Sequence, residues 1–96
     1  MPNSSRNSEA KASYSLASTK SFLKDLRKLD RVAIWRILRS IELLKEDPRS
    51  GKRLRGQLEG FWSLRVGEFR VIYSIEESNL TITLRAVGHR SRIYAP

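Results

Sequence analysis

The 96-residue chain has no cysteine and a single histidine, His89. The first absence excludes disulfides and thiolate-held metal, and the second excludes a paired-histidine nuclease and argues against zinc. No apolar run approaches the roughly 20 residues of a membrane span, and the first residues lack the apolar core of a secretory leader. The basic residues are not gathered on one amphipathic helix, as a membrane-surface segment would require. No glycine-rich phosphate loop follows a strand. The acids are scattered through Asp25, Asp30, Glu42, Glu46, Asp47, Glu59 and Glu68. Glu76 and Glu77 are adjacent near a turn, but neighbouring strand residues point to opposite faces, so they make a poor metal site. The expectation is a cytoplasmic protein with no cofactor, no metal and no membrane.

Positive charge is what the chain has in excess. Nineteen lysines and arginines against ten acids give a net charge of +9, which normally marks a polyanionic partner such as nucleic acid or an acidic protein. From Arg53 onward no lysine occurs, only Arg53, Arg55, Arg65, Arg70, Arg85, Arg90 and Arg92. Arginine offers a planar, permanently charged fork that grips phosphate at two points, whereas lysine is a mobile point charge.

The length suits one domain, which buries roughly 60–65% of its unfolded surface and has a modest core. Residues 1–13 are mostly polar and read as a disordered tail or a cloning and start-site remnant, leaving residues 14–96 as the domain. Tyr14 to Ala17 alternates briefly, as a strand would. Ser18 or Thr19 can cap a helix whose apolar side is Phe22, Leu23, Leu26 and Leu29. Asp30 can cap a longer helix with the stripe Ile34, Ile37, Leu38, Ile41 and Leu44, ended by Pro48 and Gly51. A basic, glycine-punctuated loop follows over residues 49–56. The period then changes to two, predicting strands over residues 61–66, 69–76 and 80–87 and a short charged tail from Gly88. The order predicts an α+β fold, with an N-terminal strand and a helical hairpin packed on an antiparallel β-meander.

Register places the arginines. With Gly67-Glu68 as a two-residue turn, Val66 pairs with Phe69, Arg65 with Arg70, Leu64 with Val71 and Trp62 with Tyr73. The large apolar residues then share one face, and a one-residue slip would scramble them. Arg65 and Arg70 lie directly opposite each other on the second face, an arrangement that is destabilising by up to about 1 kcal/mol. With Ser78-Asn79 as the next turn, Ile75 pairs with Ile82, Tyr73 with Leu84 and Val71 with Ala86. Arg85 then lies beside Ile72 and extends an arginine stripe over three strands. Such a stripe suits an anion. The chemistry open to these residues is metal-free work on a phosphodiester whose nucleophile is RNA's own 2′-hydroxyl, with arginines supplying charge and His89 or Tyr94 moving protons.

The run Phe61-Trp62-Ser63-Leu64-Arg65-Val66-Gly67-Glu68-Phe69-Arg70-Val71-Ile72-Tyr73 resembles the RelE/ParE superfamily of type II toxin–antitoxin toxins. So do the basic loop Lys52-Arg53-Leu54-Arg55-Gly56 and the ending Val87 to Tyr94. The resemblance spans about residues 14–94 and implies a RelE-like fold. It implies metal-free cleavage of mRNA in the ribosomal A site, with an acidic cognate antitoxin as partner in a hetero-oligomer. Carried over, Arg70 matches the arginine that contacts the scissile phosphate, and Arg90 the basic residue that assists the leaving group. Tyr94 matches the tyrosine that orients or activates the 2′-hydroxyl, and Arg65 a supporting strand arginine. Lys52, Arg53, Arg55, Arg85, His89 and Arg92 are the expected RNA contacts. One departure stands out: well-studied RelE enzymes carry lysines where this strand has Phe61 and Ser63. The ParE branch shares the fold, poisons DNA gyrase and lacks the nuclease residues. A gyrase inhibitor and a non-toxic RNA- or antitoxin-binding module therefore remain as alternatives.

Overall fold

The computed structural model describes residues 13–93; the expected tail up to Ala12, and Tyr94, lie outside them. Strand β1 (Ser15–Ser18) leads into helices α1 (Lys20–Arg27) and α2 (Arg31–Leu44). A short edge strand β2 (Lys52–Arg53) follows, then the meander β3 (Trp62–Val66), β4 (Phe69–Glu76) and β5 (Thr81–His89). The five strands lie in the order β1-β5-β4-β3-β2, all antiparallel except β1, which runs parallel to β5.

Both helices begin where a side chain can satisfy a free backbone N–H. Thr19 Oγ1 accepts from Phe22 N at 3.1 Å, and Asp30 Oδ1 accepts from Ala33 N at 2.8 Å. The helices cover one sheet face. Phe22, Ile37, Ile41 and Leu44 are buried against Val66, Val71, Tyr73, Ile82, Leu84 and Val87. Leu23 and Leu38, expected inside, are exposed, as are Val32, Trp35 and Leu43. The inward row on α2 is Ala33, Ile37, Ile41 and Leu44; it keeps Ile37, Ile41 and Leu44 of the expected stripe, with Ala33 turned inward in place of Ile34 and Leu38. Helical spacing alone allows either row, and contact with the sheet selects this one.

The first hairpin has the expected register, from Trp62↔Tyr73 to Val66↔Phe69. Gly67 turns it with φ of 62°, a conformation that favours glycine. The second hairpin agrees only in its first half, through Ile75↔Ile82 and Tyr73↔Leu84. A β-bulge between Ile72 and Tyr73 then shifts the pairing to Ile72↔Ala86 and Val71↔Val87, correcting the expected Val71–Ala86 pair. The physical cause is visible in burial. Leu84 and Val87 are both in the core although three residues apart, and an extra residue between them is the only way a period of two can hold both. That residue is Arg85.

Strand β1 ends at Ser18↔Leu84, so β5 loses its neighbour there. Helix α1 takes over: Thr19 Oγ1 donates to Arg85 O at 3.2 Å, and Val87 N donates to Asp25 Oδ2 at 3.3 Å. At the opposite end of the strands, Glu77 accepts from Tyr14 Oη at 2.7 Å and from the Arg49 guanidinium. The Tyr14 bond above all holds the Glu77 carboxyl below its ordinary range; burial opposes it, and the Arg49 guanidinium adds to the lowering. A carboxyl with a depressed folded pKa contributes stability above its unfolded value, and that contribution disappears as pH falls through the folded value. Urea unfolding is therefore expected to separate the native chain from Glu77→Gln at pH 7, with the gap narrowing as pH falls below the ordinary carboxylate range.

Candidate functional site

The face away from the helices carries the cations. Arg65 and Arg70 sit directly opposite each other on β3 and β4. Arg70 is half-buried, and its Nη1 donates to the buried Ser63 Oγ at 3.3 Å. Arg65 is exposed, and its Nε donates to Gly67 O at 3.3 Å. Gly88 is the residue opposite Arg70 on β5, and the Ile93 side chain packs in the space a β-carbon there would adjoin, at 3.4 Å.

Arg85 shares this face but not the expected place beside Ile72, because the bulge gives that place to Ala86. Its Nε donates to Ser74 Oγ at 3.2 Å, its Nη2 lies 3.8 Å from Glu76 Oε2, and its guanidinium carbon lies 5.8 Å from the centroid of the Phe61 ring. Thr83 Oγ1 donates to the same Glu76 oxygen at 3.3 Å. Glu76 is thus the acid of this row that holds Arg85.

Lys52 joins the face from an unexpected element. The segment read as loop forms β2, which places Lys52 opposite Ser63 and Arg53 opposite Trp62. Directly opposed residues share a face, so Lys52 lies on the Arg70 side and Arg53 on the other, over the Trp62 ring at 5.9 Å. The cation absent from position 63 is thus present one strand away. Arg55 is exposed at a cleft of about 370 Å3 with Arg53, Leu54, Glu59 and Gly60, apart from Arg70.

Close packing sets β2 in place. Tyr73 Oη donates to Pro48 O at 2.7 Å and accepts from Gly51 N at 3.2 Å. Burial pushes the Tyr73 hydroxyl up to about 12, with Asp47 adding to the rise and the Gly51 bond opposing it. Tyr73 is a structural pin and does not exchange protons near neutrality.

The third group lies at the end of β5. His89 is the last strand residue, opposite Phe69, and not part of a loop as its sequence context implied. Its Nε2 is 3.5 Å from Glu68 Oε1, and its Nδ1 accepts from Ser91 N at 3.3 Å. Arg90 N donates to Glu68 O at 2.8 Å, and Arg92 N and Ile93 N both donate to His89 O, which closes the chain into a turn. Arg90 and Arg92 are exposed beside this turn.

A groove of about 570 Å3 runs where α2 meets the end of β3, lined by Trp35, Arg36, Arg39, Ser40, Leu43, Arg65, Val66 and Gly67. The Arg39 guanidinium lies 4.9 Å from the Trp35 ring centroid. Because β2 pairs only with Trp62 and Ser63, the β3 edge from Leu64 to Val66 has no partner strand among the described residues.

Residues 16–94 match the family model described as ParE toxin of type II toxin-antitoxin system, parDE. The chain is a type II toxin of the RelE/ParE family. Toxin RelG of Mycobacterium tuberculosis is 34% identical to this RelE/ParE toxin, over 84% of the present chain and 95% of its own. Toxin RelE of the same organism is 31% identical, over 84% and 86%. Among solved structures, the toxin–antitoxin complex RelBE2 from M. tuberculosis aligns with a TM-score of 0.76 at 31% identity, covering 82% of this chain and 93% of its counterpart. The isolated RelE toxin of Escherichia coli shares the fold, with a TM-score of 0.70 over 84% of this chain. The RelE/ParE fold expected from the strand motif is therefore the one observed. Within it, Arg65, Arg70, Arg85 and Lys52 share a face and His89, Arg90 and Arg92 stand at the end of β5. Arg53 and Arg55 are directed elsewhere, and Tyr94 lies beyond the described residues. The Lys52–Ser63 pairing was missed because a strand of two residues is too short to carry readable alternation.

Proposed function

We propose that this toxin is a metal-independent endoribonuclease that cuts mRNA on the ribosome. The observation that carries the reading is the Arg65–Arg70 pair: two arginines directly opposed, with Arg70 half-buried and oriented by Ser63. Paired like charges across a ladder oppose folding, and an anion bound between them removes the penalty. In the reaction, the 2′-hydroxyl oxygen attacks the adjacent phosphorus and loses its proton. The bond from phosphorus to the 5′-oxygen breaks, leaving a 2′,3′-cyclic phosphate and a 5′-hydroxyl that takes up a proton. Arg70 and Arg65 stabilise charge on the phosphoryl oxygens as the transition state forms, and Lys52 adds a cation from β2. Tyr94 is assigned to the 2′-hydroxyl and Arg90 to the leaving oxygen, with His89, Arg85 and Arg92 as RNA contacts and Arg53 and Arg55 as outlying ones. The donor set, without cysteine and with one histidine, suits a mechanism that needs no metal.

A cognate antitoxin is the second partner. The groove between α2 and β3 joins exposed Trp35 and Leu43 to Arg36, Arg39 and Arg65 beside an unpaired strand edge. An acidic amphipathic segment fits it, gaining apolar burial and charge neutralisation together. The toxin then rests in a hetero-oligomer in the cytoplasm.

A second reading, gyrase inhibition without cleavage, is favoured by the match to a ParE family model and by Phe61 and Ser63, which stand just before and within β3. Brief induction in a sensitive cell, with mapping of mRNA 5′ ends and of DNA breaks, separates the two. Cuts inside translated codons are expected. Intact messages with gyrase-linked DNA breaks would replace the nuclease reading with the second one.

A further inference from the structure

The first residue of the strand motif, Phe61, has no place in the phosphate chemistry above, yet it lies on the phosphate-binding face. It precedes Trp62, whose side chain turns to the core side and stacks on Tyr73 with ring centroids 6.3 Å apart. Alternation therefore sends Phe61 the other way, to the side of Ser63 and Arg65. There it is only partly buried. Its ring faces a cation held from three directions: Arg85 is 5.8 Å from the ring centroid, bonded to Ser74 Oγ at 3.2 Å and 3.8 Å from Glu76 Oε2, with its backbone carbonyl bonded to Thr19. The bulge gives Arg85 this position, moving it out of the ladder and away from Ile72 toward Glu76 and Phe61.

Ile72, paired with Ser63, is the other large apolar residue of this hairpin on that face and is buried, whereas Phe61 is only partly so. Phe61 instead offers a flat, partly open surface within two strand residues of Ser63, the residue that orients Arg70. Stacking a nucleobase on an aromatic ring, with an arginine plane alongside, is how single-stranded RNA is gripped without regard to sequence. Phosphate binding and base stacking in one site require the two surfaces to be neighbours on one face, and the β3 register makes them so.

We propose that Phe61 and Arg85 form a nucleobase-stacking subsite that holds a base of single-stranded RNA next to the phosphate bound by Arg70. The inference rests on the nuclease reading for the identity of the polymer. The subsite is sequence-tolerant, because every base offers a face to stack on. It positions the substrate and takes no part in bond making.

The test is equilibrium binding of the full chain to short 2′-O-methyl RNA, which cannot be cut, and to the same oligomer made abasic at successive positions. The expected result is a loss of roughly 5- to 100-fold in affinity for the base-bearing oligomer in Phe61→Ala and Phe61→Leu. Phe61→Trp retains native affinity. One abasic position weakens the native chain by a similar factor and leaves the Phe61→Leu variant unchanged. Leucine preserves apolar burial while removing the aromatic face, so a folding defect does not imitate this pattern. Equal weakening of base-bearing and abasic oligomers in Phe61→Leu would overturn the subsite, reducing the ring to a prop for Arg85. So would unchanged affinity in that variant. A native chain that binds neither oligomer would overturn the subsite, while the mapping of mRNA cuts decides the nuclease reading separately.

Discussion

Arg70→Ala is expected to leave a folded protein whose cleavage of ribosome-bound mRNA falls about 100- to 1000-fold, the usual cost of removing one preorganised donor to a charged transition state. The opposite signs of its two effects make the prediction sharp. For catalysis, Arg70 is the half-buried member of the pair, held by Ser63 at 3.3 Å, so its loss removes charge from where it develops. For stability, Arg70 faces Arg65 across the ladder, and removing one of two opposed like charges relieves up to about 1 kcal/mol of repulsion. That relief offsets the lost packing, so the melting temperature stays within a few degrees of native. Rates come from single-turnover cleavage on programmed ribosomes, and melting is followed by circular dichroism. A folded Arg70→Ala variant that cuts at the native rate would remove Arg70 from the mechanism. Arg70→Lys, which keeps the charge but loses the fork, falls between the two.

Gly51→Ala is expected to lower stability by about 2–3 kcal/mol, or roughly 10–20 °C in melting temperature for a domain this size. Gly51 has an ordinary extended backbone, so the reason is space. A β-carbon there would lie 2.5 Å from Tyr73 Oη and 2.6 Å from the backbone oxygen of Ser63. The hydroxyl can be removed and the carbonyl cannot. Tyr73→Phe should therefore fail to rescue Gly51→Ala; rescue would show that the hydroxyl alone sets the limit. The same displacement pushes β2 off β3 and carries Lys52 away from Ser63, so RNA affinity falls with stability.

Local chemistry made much of this molecule legible in advance. Thr19 and Asp30 announce helix starts because their side chains accept from N–H groups three residues on. Gly67 announces the first hairpin because its turn needs positive φ, and six large apolar residues then admit a single register. The opposed pair Arg65 and Arg70 follows from that register with no tertiary information. The strand motif, read as a resemblance, also carried the family.

Tertiary contact decided the rest. Ile34, Ile37, Leu38 and Ile41 satisfy more than one inward row on α2, and only the sheet beneath chose the row through Ala33, Ile37, Ile41 and Leu44. The bulge was implicit in Leu84 and Val87 standing three apart, yet which residue leaves the ladder depends on Thr19 and Asp25 taking up backbone groups of β5 from a helix more than sixty positions away in the chain. Lys52 reached the cationic face because Gly51 packs against Tyr73 and Ser63. A sequence declares what one residue does to its near neighbours, through capping, turn conformation and alternation. Where several arrangements satisfy those local rules equally well, close packing and the pairing of buried backbone groups select among them, and both exist only once distant segments meet.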